Sequence, residues 1–354
     1  MTKLIDFESR YIISSLKQSI AIRDKILLSR GRDGLTIICR ILREEQERPK
    51  ILVPAFICNV VPETIVANGV EVGFYDVDHN LIPIISSIDK KINENAKTLL
   101  FVNYFGFKQP VSIINLFHER GLTLIEDNTQ AFLTPGSYPA SKAIRWEIES
   151  YRKLLPLPDG ATLRMHEAVP TPIALGVSMQ QYKHILWRTL GIMVRGFIDK
   201  MPQHHLEEME RDMFTFAERS IKYTGPAAMS GLSKTLLPWL DISKIIYKRR
   251  KNYAHLLDAF KDEKHIKPIF KELFDKVCPF GFPIVVKQRE RLRHMLNESK
   301  ITAAVLWDKP KMLNEGNIFA AQQLWDNILV LPVGPSYNEF DMQRMCCIVK
   351  DHQA

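Results

Sequence analysis

LLFVNYFGFKQPVSIINLFHERGLTLIEDN, residues 99–128, decides the architecture. Leu99 to Phe107 is an apolar, β-rich run. VSIINLFHERG comes next with helical spacing and closes on Gly121, and LTLIEDN (Leu122 to Asn128) is a second β-rich run. This is a strand, helix, strand unit. The same rhythm stands upstream: an apolar run from Ile51 ends at Pro54, a helix-like segment follows, and Gly69 precedes the β-rich stretch Val70 to Val77. Repeated βαβ units predict an α/β fold with a mostly parallel central sheet and helices on both faces. Neither unit carries G-x-G-x-x-G at its first turn, so a nicotinamide dinucleotide lacks the glycines that let the backbone approach a pyrophosphate.

Further along the chain, Ser178 to Met201 reads as one long basic and aromatic helix that ends at Pro202. Such a helix can lie on a membrane surface. The alternative favoured here packs its apolar side on the domain or on a partner subunit. Composition changes after Leu240: the helix SKIIYKRRKNYAHLLDAF leads to a strand-like PFGFPIVV, a charged helix QRERLRHMLNESK, and short strands at ITAAVLW and NILVLPV. The division expected is a large domain over residues 1–240 and a smaller α+β domain over 241–354.

The 354 residues, 46% hydrophobic and 25% charged, describe a globular chain rather than a disordered or fibrous one. An acidic start, MTKLIDFESR, and the lack of any long apolar run point to a cytoplasmic location. Forty-eight basic against forty acidic side chains give +8, but the bases are spread along the chain and no RRM, KH or zinc-finger signature accompanies them. Nucleic acid is therefore not expected as a partner. The five cysteines form no C-x-x-C pair, so they read as reduced thiols with no metal site.

Three places can carry chemistry. Asp127 ends LTLIED at the carboxyl end of a strand, where open α/β sheets bind ligands, although a turn carboxylate or helix N-cap is the alternative. Lys153, in Ser150-Tyr151-Arg152-Lys153 before LLPLPDGATL, can serve as an imine-forming nucleophile if the neighbouring Arg152 depresses its pKa. The alternative is a solvated loop lysine. Gly31-Arg32-Asp33-Gly34 introduces a helix with apolar positions Leu35, Ile38, Ile41 and Leu42, and its backbone N–H groups can face a phosphate. A plain glycine turn is the alternative.

Taken in order, the glycine-rich helix start, P-A-F-I-C, G-V-E-V-G-F-Y-D-V-D, N-Y-F-G, I-E-D-N-T-Q-A and the Lys153 segment resemble the DegT-type sugar aminotransferases, pyridoxal 5'-phosphate (PLP) enzymes of fold type I. The resemblance extends across most of the chain. It implies that Lys153 holds PLP covalently and moves the proton, and that Asp127 pairs with the pyridine nitrogen to keep it protonated. Gln130 matches the position that bonds the ring oxygen. Gly31, Arg32 and Asp33 match the phosphate-binding helix start, and Ser150 is a further hydroxyl donor. Three departures stand out. Cys58 occupies the place where relatives stack an aromatic ring on PLP, S-Y-R-K and D-G-A replace the usual S-F-x-x-x-K and G-E-G-G, and Tyr223 stands in a loop where relatives carry an asparagine reaching the neighbouring subunit's site. The implied function is transfer of an amino group, from glutamate, to a keto-sugar linked to a nucleotide, by a homodimer with shared active sites. Another PLP reaction on the same scaffold, or a non-catalytic binding protein, is the alternative.

Overall fold

The computed structural model describes residues 25–92, 96–136, 143–167, 175–176, 178–198, 204–220, 225–313 and 320–352. In chain order, β1 (Lys25–Leu28) leads to α1 (Gly31–Glu45), β2 (Lys50–Pro54), α2 (Val60–Ala67), β3 (Glu71–Tyr75) and α3 (Ile85–Ile92). Next come β4 (Thr98–Val102), α4 (Val111–Glu119), β5 (Thr123–Asn128), β6 (Ile144–Ser150) and β7 (Ala161–Met165). These seven strands form one sheet in the order β1-β7-β6-β5-β4-β2-β3. Beyond it come α5 (Met179–Ile198), α6 (His204–Arg219), α7 (Gly231–Leu236), α8 (Ile242–Phe260), β8 (Lys267–Pro268), β9 (Phe282–Val285), α9 (Arg289–Glu298), α10 (Ala320–Asn327), β10 (Ile328–Leu331) and α11 (Glu339–Asp351).

Contacts divide the chain into two compact units, one containing the residues up to Ile41 with Trp146–Ser243, the other Leu42–Arg145 with the residues from Lys244 onward. In the first, β7 runs antiparallel to both β1 and β6, so those two run in the same direction. Helix α1 docks closely because Gly34 has no side chain: a Cβ there would sit 3.4 Å from the Leu163 Cβ. Helices α5 and α6 pack as a pair, with His184 Nδ1 bonded to the Ala217 carbonyl and Gly191 leaving room for the Phe214 ring.

In the second unit, β2 pairs in parallel with β3 and β4, and β4 with β5. The strands β4 and β2 are almost wholly apolar and buried, as strands covered on both faces must be. A smaller antiparallel sheet orders β10-β9-β8. The ITAAVLW stretch contributes only an isolated bridge, Ala304 to Val330, in place of the strand its composition predicts.

Candidate functional site

In the first unit, Ser29 and Arg30 join β1 to α1. The Asp33 carboxylate folds back on this junction: Oδ2 accepts the Arg30 N–H at 2.9 Å and Oδ1 faces Arg30 Nη2 at 3.2 Å. Burial raises the Asp33 pKa, and the arginine opposes it. The Asp33 N–H donates to the Arg30 carbonyl at 3.0 Å, so Asp33 is committed to its own helix start and turns no donor outward. Arg30 is the more informative residue. Its side chain is buried, yet Nε and Nη1 have no hydrogen-bond partner, and neither has the buried Ser29 hydroxyl. Orphaned donors beside the first turn of a helix are an unmet demand for an anion.

Arg32 is half-buried, and its pKa is lowered by burial, then by the charges of Arg30 and Arg152. Arg152 donates through Nη1 to Glu218 Oε1 at 3.2 Å, and Arg188 Nη1 reaches the same oxygen at 3.3 Å. Although burial raises the Glu218 pKa, Arg152, His184 and Arg188 bring it below the ordinary value. Burial and Arg152 pull Arg188 down to about 10. Guanidinium groups outnumber carboxylates in this cluster, which again suits an anion.

Ser150, buried, is the last residue of β6, and Tyr151–Lys153 form a short 3-10 turn that leaves Lys153 exposed. The chain just beyond this turn is pinned. Asp159, fully buried, accepts the Ser230 N–H at 2.9 Å and the hydroxyls of Ser230 and Ser233 at 2.6 and 2.5 Å. Gly160 has φ +132°, and a Cβ there would lie 3.0 Å from Met229 and 3.2 Å from Tyr151. The D-G pair is therefore a clamp that fixes the turn carrying Lys153.

In the second unit, Asp127 lies in β5 opposite Val102, with its main chain accepting the Asn103 N–H at 3.1 Å. Its neighbours Glu126 and Asn128 project to one face, where each accepts from Lys108 and from Asn103 at 2.7 to 2.8 Å. The period of two sends Asp127 to the other face. There it is almost buried, and Oδ1 accepts the Thr129 N–H at 2.8 Å. The Tyr104 phenol feels this carboxylate: burial, then Tyr75 and Asp127, push its pKa well up. Gln130 is also buried, and its Oε1 holds the N–H of Phe105, a non-glycine residue at φ +55°. Cys58, half-buried, lies two residues after the fully buried Phe56 and just before Asn59, the residue that precedes α2.

The sequence-derived set thus separates by unit. Gly31, Arg32, Asp33, Ser150 and Lys153 belong to the first, and Cys58, Asp127 and Gln130 to the second. Tyr223 lies outside the described residues. Sequence reasoning missed Arg30, Glu218 and the Asp159 clamp. The clamp had a signal, since Ser230 and Ser233 have the spacing of a helix cap, and the Ser230 side chain does accept from the Ser233 N–H.

Residues 15–137 match the DegT/DnrJ/EryC1/StrS aminotransferase family. No curated protein matches the sequence. Among solved structures, the chain is similar to Helicobacter pylori PseC, an aminotransferase involved in the biosynthesis of pseudoaminic acid, at 15% identity and TM-score 0.68, covering 96% of this chain and 90% of that one. It is also similar to the aminotransferase TlmJ from Streptoalloteichus hindustanus, at 14% identity and TM-score 0.68 over 97% and 89% of the two chains. For the sugar aminotransferase CalS13 from Micromonospora echinospora the values are 12% identity and TM-score 0.66 over 98% and 92%. The architecture is that of fold type I.

Proposed function

Because the chain carries a DegT/DnrJ/EryC1/StrS aminotransferase family domain on this fold, we propose that it is a PLP-dependent aminotransferase that moves an amino group from glutamate to a nucleotide-linked keto-sugar. When bound, PLP supplies an electron sink for charge developing on the substrate carbon. The observation that carries this reading is the start of α1, where Arg30 Nε and Nη1 are buried without partners, as a bound phosphate dianion requires.

In this reading Gly31 and Arg32 add their backbone N–H groups to the Nε and Nη1 donors of the Arg30 side chain, and Ser150 adds a hydroxyl. Asp33 holds Arg30 in place rather than meeting the phosphate itself. Asp127, with one oxygen held by the Thr129 N–H, would pair with the pyridine nitrogen and so favour its protonated form. Gln130 orients the Phe105 turn and would hydrogen-bond the ring oxygen. Lys153 holds the cofactor covalently and carries the proton at its Nζ, on a turn that the Asp159 clamp keeps rigid. The +8 balance suits the diphosphate of a nucleotide-linked acceptor.

The reading includes a cytoplasmic homodimer. Among the described residues no helix is long and apolar enough to cross a membrane. On α5, Met179, Tyr182, Leu186, Met193 and Phe197 are all 55% exposed or more, within an arc of about 60° at 100° per residue. The residues this helix buries, Gln181, His184, Gly191, Val194 and Ile198, lie on the other side. The stripe offers roughly 600 Å² per copy, near the lower range of stable interfaces.

An absorbance spectrum of the purified protein with and without glutamate tests the function. A PLP band that glutamate converts to the amino form supports it. Absence of any band after incubation with PLP overturns it.

A further inference from the structure

Cys58 leaves open which group faces the flat side of the cofactor ring, and the second unit contains a candidate. The Trp307 ring centroid lies 5.4 Å from Phe56 and 6.2 Å from Tyr104, at interplanar angles of 53° and 49°. Phe56 and Tyr104 are themselves 6.0 Å apart. The three rings therefore form a tilted triangle. Two of its members are buried to 0% and 1% exposure, so only Trp307, half-buried, has ring surface left to offer.

Two further contacts fix where that surface is. Asn59, the residue after Cys58, donates through Nδ2 to the Asp308 carbonyl at 3.4 Å and accepts the Lys311 N–H at 3.3 Å. One side chain thus ties the segment that carries Trp307 to the start of α2. On the other side, the Tyr104 hydroxyl donates to the Phe56 carbonyl at 2.7 Å, and Tyr104 is the phenol that senses the Asp127 carboxylate. Trp307 accordingly borders both the Cys58 segment and the surroundings of Asp127. A small thiol at position 58 leaves room for a ring brought in from elsewhere in the chain.

We propose that Trp307 supplies the aromatic wall against which the PLP ring stacks, in place of an aromatic side chain at position 58. The inference rests on the PLP reading given above. Offset stacking of two π-systems adds to area burial, and removing it weakens cofactor binding by about tenfold.

The test uses the full chain stripped of cofactor and titrated with PLP, with tryptophan emission as the readout, in the wild type and in Trp307→Phe, Trp325→Phe and Trp239→Phe. Contact quenching by PLP is expected to lose its largest component only in Trp307→Phe. PLP affinity should fall about tenfold in Trp307→Ala but less than about threefold in Trp307→Phe, which keeps a ring. A protein that shows the PLP absorbance band but the same quenching in wild type and Trp307→Phe overturns the role of Trp307 and leaves the PLP reading standing. No band in any of the proteins overturns the PLP reading, and this inference with it. If Trp307→Ala does not fold, the comparison among the phenylalanine variants still decides.

Discussion

Replacing Arg30 separates an anion cradle from an ordinary buried ion pair. The single change Arg30→Gln confounds the two, because it leaves Asp33, 1% exposed, without its cation, and an uncompensated buried charge costs about 3–5 kcal/mol. The double change Arg30→Gln with Asp33→Asn avoids this: two amides replace two opposite charges, and the amide oxygen introduced at position 33 can still accept the N–H of residue 30. The structure then sets the magnitude. Nε and Nη1 of Arg30 have no protein partner, so a phosphate gains two charge-assisted hydrogen bonds there. At about 1.5 kcal/mol each they amount to about 3 kcal/mol, or roughly 150-fold in affinity. Thermal unfolding of the cofactor-free protein in increasing inorganic phosphate reads this without any turnover, since an anion that binds only the folded state raises the midpoint with concentration. The double variant should need about 100-fold more phosphate for the same rise and should lose PLP on dialysis while the wild type keeps it. Equal responses in both proteins refute the reasoning, and Arg30 is then a structural residue.

Lowering the pH tests the arginine cluster. His184 donates from Nδ1 to Ala217, and burial, with the charges of Arg152 and Arg188, pulls its pKa to about 4 despite Glu218. The unfolded chain therefore binds the proton first, and stability is lost as pH falls from 6.5 toward 4: about 1 kcal/mol from pH 7 to 5.5, measured by urea unfolding, and absent in His184→Gln. Asp127→Asn should keep its PLP band but lose most of the half-reaction with glutamate, because an amide cannot hold the pyridinium; a near-normal stopped-flow rate would remove Asp127 from the mechanism. Leu186→Glu, in the middle of the exposed α5 stripe, should convert a dimer to a monomer in sedimentation at micromolar concentration, and an unchanged dimer would place the interface elsewhere.

The sheet was legible because its signals are local. Buried parallel strands read as continuous apolar runs, and Gly69 and Gly121, both at positive φ, end the intervening helices where their lack of a side chain suggests. Asp127 could be placed near the carboxyl end of β5 for the same reason, since it directly follows the apolar run LTLIE. What the sequence hid depends on partners far apart in the chain. Arg30 looks like any loop arginine until its orphaned nitrogens are seen, Glu218 is one acid among several on α6, and the contacts of Trp307 with Phe56 and Tyr104 span about two hundred residues or more. Helix α5 shows the opposite limit. Composition predicted an apolar side to be covered, and the helix exposes its apolar stripe while burying Gln181, His184, Gly191, Val194 and Ile198.

The most direct measurement is reduction of the PLP-loaded protein with borohydride, followed by proteolysis and mass spectrometry of the labelled peptide. The account predicts a single pyridoxyl label on Lys153, within the turn that follows β6, and none in Lys153→Ala. A label on another lysine, or no label on a protein whose spectrum shows bound PLP, contradicts it.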